Sequence, residues 1–185
     1  MKGKMFNIRG ESVSKISDNK EITEIKQILG LEHGKIYNSD SIKTKLRYGK
    51  LMFMTDQDLD GSHIKGLGIN LFQSMWNSLS KIPGFIGFMN TPILKAKKGS
   101  NEMLFYNDGE YLEWKKANND GKGWKIKYYK GLGTSSSNEA KEYFKNLDKN
   151  EINYFWNGSK RQTAILTAFD KQKDSSNIRK KWLEV

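Results

Sequence analysis

The chain has 185 residues, with 32 Lys and Arg against 21 Asp and Glu, for a formal charge of +11. Cysteine is absent, which excludes disulfide frameworks and thiolate metal sites. No apolar run nears the roughly 18 to 20 residues that a membrane-spanning helix needs, and the N-terminus lacks a signal-peptide apolar stretch. The basic excess is uneven: residues 1–60 carry 11 Lys and Arg against 9 Asp and Glu, whereas residues 61–185 carry 21 against 12. A polyanion such as DNA or RNA suits that balance, with a lysine-rich solubilising surface as the alternative.

In chain order, MKGKMFN reads as a lysine-rich turn leading into a short strand or extended piece. Ile22, Ile25, Ile28 and Leu29 recur at helical spacing, which predicts a helix over residues 17–29. Asp18 is its expected N-cap, Glu21 completes a capping box, and Gly30 is the stop. Residues 34–41 read as a polar loop. LRYGK, residues 46–50, then sets Arg47 and Lys50 beside an apolar run, residues 51–55, that reads as a strand.

That strand empties into DQDLDGSH, residues 56–63. Asp56, Asp58 and Asp60 alternate, and Gly61 permits a turn that a side chain would hinder. Carboxylates this close repel unless a proton or cation compensates, and a hard divalent cation such as Mg²⁺ suits oxygen ligands. An EF-hand is excluded by counting from Asp56: position 12 is Leu67 where a bidentate Glu is required, and the preceding segment reads as strand. A solvated acidic turn is the plain alternative.

Ile64, Leu67, Leu71, Met75 and Leu79 then predict one long amphipathic helix ending before Pro83, with Gly66 and Gly68 allowing close packing. A strand is expected near residues 93–97 and another over 103–106, paired through a Gly99-Ser100 turn. Asp108 is the expected cap of a short helix carrying Tyr111, Leu112 and Trp114. WKIKYY, residues 124–129, reads as a strand running into KGLGT, residues 130–134. KGLGT lacks the P-loop order, so no Walker-type ATP site is expected in this chain. Ser135 to Ser137 can cap the next helix, and helical patterns follow over residues 160–169 and 175–183.

Together, KGKMFNIRG, LRYGKLMFMTDQDLDGSHIKG and YYKGLGTSSSNEAKEYF resemble the metal-binding Toprim region of type IIA DNA topoisomerases. LRYGK, YYKGLGTS and the order NEMLFY, EYLEWKK, WKIKYY favour the eukaryotic-like branch, viral and phage versions included. The resemblance runs through nearly the whole chain. It implies an α/β fold: a Toprim-like parallel sheet flanked by helices, incomplete at its N-terminal strand, with a helical C-terminal extension. Residues 1–135 would be a partial metal-binding domain with an insertion, and residues 136–185 a helical extension toward the next module.

The family cuts both strands of one duplex, passes another through and religates. The resemblance therefore implies Mg²⁺ held by Asp56, Asp58 and Asp60, Lys130 and His63 at the active centre, and Arg9, Arg47, Lys50 and Lys130 near DNA. It also implies a multimeric, intracellular assembly, cytoplasmic or nuclear depending on the host, with no membrane partner. The family's EGDSA segment, whose Glu ligates metal, has no equivalent here, and neither Glu11 nor Glu21 replaces it on spacing. That Glu, the ATPase and the winged-helix tyrosine are expected from other chains or segments, so the complete enzyme requires ATP while this chain does not bind it. A Toprim-like nuclease or primase fragment and a noncatalytic DNA-binding or assembly module are the alternatives.

Overall fold

The structure, a computed structural model, describes residues 3–184 apart from the side chain of Arg161. It divides into two compact units: Met1–Phe53, His63–Gly87 and Asn153–Val185 form the first, and Met54–Ser62 with Phe88–Ile152 form the second.

The first unit opens with α1 (Val13–Ser17) and α2 (Lys20–Leu29). The expected helix is thus two helices. Asp18 ends α1, its N–H donating to the Ser14 carbonyl, and Asn19 caps α2 by accepting from the Ile22 N–H at 3.1 Å. Gly30 stops α2 as expected, in the left-handed region at φ 75°. Ile22 and Leu29 are buried, whereas Ile28 faces solvent.

Helix α3 (Ser39–Lys45) falls across part of the segment read as a polar loop. Its signal is local: Asn38 and Ser41 form a reciprocal capping box, and only Ile42 is buried on its inner side. Strand β1 (Leu51–Phe53) and helix α4 (Leu59–Met75) follow. The expected long helix breaks at Trp76 (φ −137°, ψ 59°) before α5 (Asn77–Ser80). Trp76 is buried and donates its indole N–H to the Glu32 carbonyl at 2.9 Å, so the break serves a tertiary contact that periodicity does not reveal.

Leu67, Leu71, Phe72, Trp76, Leu79 and Phe85 form the packed interior of this unit. The two helix glycines act as expected: a Cβ on Gly68 would lie 2.4 Å from the Phe53 ring, and one on Gly66 would lie 2.8 Å from the Phe169 ring. Strand β2 (Ile86–Met89), which the sequence reading did not place, joins β1 in a sheet.

In the second unit, β3 (Leu94–Lys98) and β4 (Asn101–Phe105) form the expected hairpin, with Gly99 at φ 60° in its turn. A two-residue connection joins neighbouring strands only in antiparallel fashion. Strand β5 (Lys125–Tyr128) pairs antiparallel with the other side of β3, so Ala96 stands opposite both Met103 and Ile126. Helix α6 (Asp108–Ala117) is capped by Asn107, one residue ahead of the expected Asp108. Tyr111 and Trp114 of α6 cover Leu94, Ala96 and Phe105, with ring centroids 5.1 to 5.3 Å from Phe105. Lys95, Lys97, Lys125 and Lys127 occupy the alternate positions of these strands. Helices α7 (Ser137–Lys145) and α8 (Leu147–Asn150) lead to β6 (Glu151–Asn153), and the first sheet has the order β1-β2-β6.

The chain closes with α9 (Gly158–Phe169) and α10 (Ser175–Leu183); the helical extension expected over residues 136–185 thus holds helices α7 to α10, with β6 among them. The fold is mixed α/β, small sheets flanked by helices. The expected hairpin belongs to a second sheet, β4-β3-β5, which is antiparallel throughout. No helix among the described residues is long and apolar enough to cross a membrane.

Candidate metal centre

Helix α4 begins only three residues after Asp56, so the acidic turn is tighter than a free loop. Asp58 caps the helix: its carboxylate accepts from the Gly61 N–H at 2.7 Å and its carbonyl from the Ser62 N–H at 3.0 Å. Asp60 lies in the first helical turn, where the helix dipole favours negative charge. Gly61 itself is helical and has no positive φ. The sequence reading gave it a turn role, whereas the structure requires it for close approach. A Cβ there would lie 1.8 Å from the Asp56 carbonyl oxygen.

Two contacts fix the start of the turn. The Gln57 amide donates to the Met89 carbonyl at 2.9 Å, holding the turn to the end of β2. Asp56 accepts the Leu132 N–H on Oδ1 at 2.7 Å, across 76 residues of sequence. This bond joins DQDLDG to KGLGT. Gly131 makes it possible: a Cβ there would lie 2.9 Å from Asp56 Oδ2 and 3.0 Å from its Cγ. Leu132–Thr134 then form a single tight turn, closed by the Thr134 hydroxyl on the Gly131 carbonyl at 2.6 Å. Lys130, next to this contact in sequence, is exposed.

Asp56, Asp58, Asp60 and Lys130 therefore belong to the second unit, while Arg9, Arg47, Lys50 and His63 belong to the first. Within the first unit, Arg9 donates from Nε to the buried Asn70 at 2.7 Å. Burial pushes the Arg9 guanidinium down from its usual value, opposed by the charge of Asp170. Asn7 links the same cluster, accepting from Asn70 and donating to the Phe169 carbonyl. His63 is exposed and stacks on Phe169 with centroids 5.9 Å apart. Arg47 and Lys50 are exposed.

The acids supply only hard oxygen donors, which suits Mg²⁺ held by one or two carboxylates and several waters. No three His, Cys, Asp or Glu side chains are gathered as a metal-holding group among the described residues. Sequence reasoning missed Gln57, Leu132 and Asn70. Gln57 reaches a carbonyl 32 residues away and Leu132 offers its own N–H to a carboxylate 76 residues away, and Asn70 is a polar residue on an apolar helix face, a visible but unspecific signal.

The family model for the C-terminal associated domain of TOPRIM matches residues 89–185, over half of the chain. DNA topoisomerase 2 of Acanthamoeba polyphaga mimivirus is 51% identical over 165 residues, covering 87% of this chain and 13% of that protein. DNA topoisomerase 2-beta of Homo sapiens is 49% identical over 184 residues, covering 99% of this chain and 11% of that protein. The chain thus spans a small part of the length of these relatives. A crystal structure of the Plasmodium falciparum topoisomerase II DNA-binding, cleavage and re-ligation domain superposes with a TM-score of 0.90 at 46% identity. That match covers 99% of this chain and 24% of the other.

Proposed function

Because the chain belongs to the family of the C-terminal associated domain of TOPRIM and is closely related to eukaryotic and viral type IIA DNA topoisomerases, we propose that it is the Mg²⁺-holding part of such an enzyme, serving cleavage and religation of double-stranded DNA. The observation that carries this reading is the Asp56 to Leu132 hydrogen bond, which brings the two motif segments onto one carboxylate. Asp56 and Asp58 are the proposed metal ligands, with Asp60 adding negative charge in the first turn of α4. A bound Mg²⁺ would supply charge stabilisation for phosphoryl transfer at the DNA backbone.

This chain's own residues hold the ligands still. Asp58 is fixed by the Gly61 N–H and Asp56 by the Leu132 N–H. Exposed Lys130, Arg47 and Lys50, with Arg9 and His63, are the proposed contacts to the DNA backbone or the active centre, consistent with the charge of +11. In this reading residues 1–135 form the metal-binding part and residues 136–185 lead toward the following module. The attacking tyrosine, the ATPase and the additional metal-binding Glu come from segments or chains beyond these residues, in a multimeric assembly.

Magnesium titration of the wild-type chain and of Asp56→Asn tests the reading. The replacement removes one ligand charge while nearly preserving shape, and binding is expected to weaken about tenfold, or roughly 1.4 kcal/mol. Equal binding by the two proteins would refute it and favour a noncatalytic module. ATP-dependent decatenation by the 185-residue chain alone would refute the need for other segments.

A further inference from the structure

The loop that contacts Asp56 leaves β5 after Tyr128 and enters α7 at Ser137. Both of its ends converge on one side chain, Glu139. On the downstream side Glu139 completes a capping box: it accepts the Ser136 N–H at 2.8 Å, and its own N–H donates to the Ser136 hydroxyl at 3.3 Å. On the upstream side the same carboxylate accepts the Tyr129 hydroxyl at 2.6 Å and the Lys127 ammonium at 2.8 Å. Lys95 of β3 stands 3.8 Å away and is shared with Glu102. The Lys127 ammonium also lies 4.6 Å from the Tyr129 ring centroid, and the Tyr129 N–H is fixed on the Ile93 carbonyl at 2.9 Å.

This convergence exceeds what helix capping needs, since Gln closes a capping box as well as Glu does. Lys127 shares one carboxylate oxygen with the Ser136 N–H and Tyr129 takes the other, so the contacts use two acceptor oxygens where Gln has one, and both donors precede KGLGT. Burial alone would raise the Glu139 carboxyl, but Lys127, Tyr129 and Ser136 bring it down to about 2. Burial and the Glu139 hydrogen bond push the Tyr129 hydroxyl up, so it remains a donor.

We infer that Glu139 is a positioning residue for the acidic turn: it ties the two ends of the 130–135 loop together and so holds the Leu132 N–H on the Asp56 carboxylate. The consequence for metal binding rests on the proposed role of Asp56 as a ligand. The geometric part, from Glu139 to the loop to Leu132, stands apart from that role.

The test uses the isotope-labelled full chain as wild type, Glu139→Gln and Tyr129→Phe, with two readouts. Amide exchange at Leu132 is expected to accelerate about tenfold in Glu139→Gln and less in Tyr129→Phe, while the β3–β4 ladder keeps its protection. Magnesium affinity is expected to fall about threefold in Glu139→Gln, less than in Asp56→Asn. Unchanged Leu132 exchange in both variants would overturn the inference. So would equal acceleration at Leu132 and throughout β3–β5, which would make Glu139 a general stabiliser. If Glu139→Gln does not fold, Tyr129→Phe decides, because it deletes only a hydroxyl: faster Leu132 exchange supports the inference and unchanged exchange overturns it. Absence of Mg²⁺ binding by the wild type would defeat the proposed function, and the exchange result would still judge Glu139.

Discussion

Gly61→Ala separates intrinsic helix preference from the close approach seen in the acidic turn. On propensity alone, alanine inside a helix is worth up to about 1 kcal/mol over glycine. In this structure the added Cβ would lie 1.8 Å from the Asp56 carbonyl oxygen, 2.8 Å from its carbon and 3.1 Å from Thr55 Oγ1. An ordinary contact is about 3.5 Å, so the backbone must separate by more than about 1.5 Å. The nearest obstacles are main-chain atoms, and no rotamer change relieves them. Opening the turn also weakens the Asp58 cap, worth about 1 kcal/mol, and overpacking of this kind costs about 1 to 3 kcal/mol. The expected net loss is about 1 to 3 kcal/mol, a fall in Tm of roughly 2 to 10 °C for a chain of this size. Thermal unfolding followed by circular dichroism measures it, with Mg²⁺ omitted so that metal binding does not contribute. An unchanged or raised Tm would refute the close-approach argument.

Asp58→Ala removes the α4 cap and should destabilise the chain by about 1 kcal/mol in denaturant titration without metal; no loss would mean that the cap bond is not a stabilising contact. Acid should act on Glu139, whose folded value of about 2 lies below the ordinary 4.5. For a depressed carboxyl the stabilisation is fully present above the unfolded value and is lost as pH falls from about 4.5 toward 2. At full strength that shift corresponds to about 3 kcal/mol, and solvent screening at this partly exposed loop reduces it to about 1 kcal/mol. Unfolding of wild type and Glu139→Gln across this range should show their stability difference shrinking with acid. A difference constant with pH would contradict the Lys127 and Tyr129 contacts.

The sequence by itself determined the features whose cause is local. Three residues, Asn19, Asn107 and Ser136, place helix starts within a residue or two of expectation because a cap needs only its own next turn. The β3–β4 hairpin was legible in Gly99-Ser100 because a short turn admits only antiparallel neighbours. The acidic turn was legible as strand, carboxylates and helix, and its family resemblance was carried by motifs that persist along the chain. Tertiary structure decided what depends on close approach between distant residues. Trp76 breaks a helix that periodicity would continue, since its indole N–H finds the Glu32 carbonyl. Gly61 and Gly131 are required by the atoms that face them and not by turn dihedrals. Asp56 meets Leu132, and Glu139 gathers Lys127, Tyr129 and Ser136, through hydrogen bonds whose partners no local pattern names. Periodicity records which side of an element is buried; only packing decides which backbone comes close enough to hold a carboxylate in place.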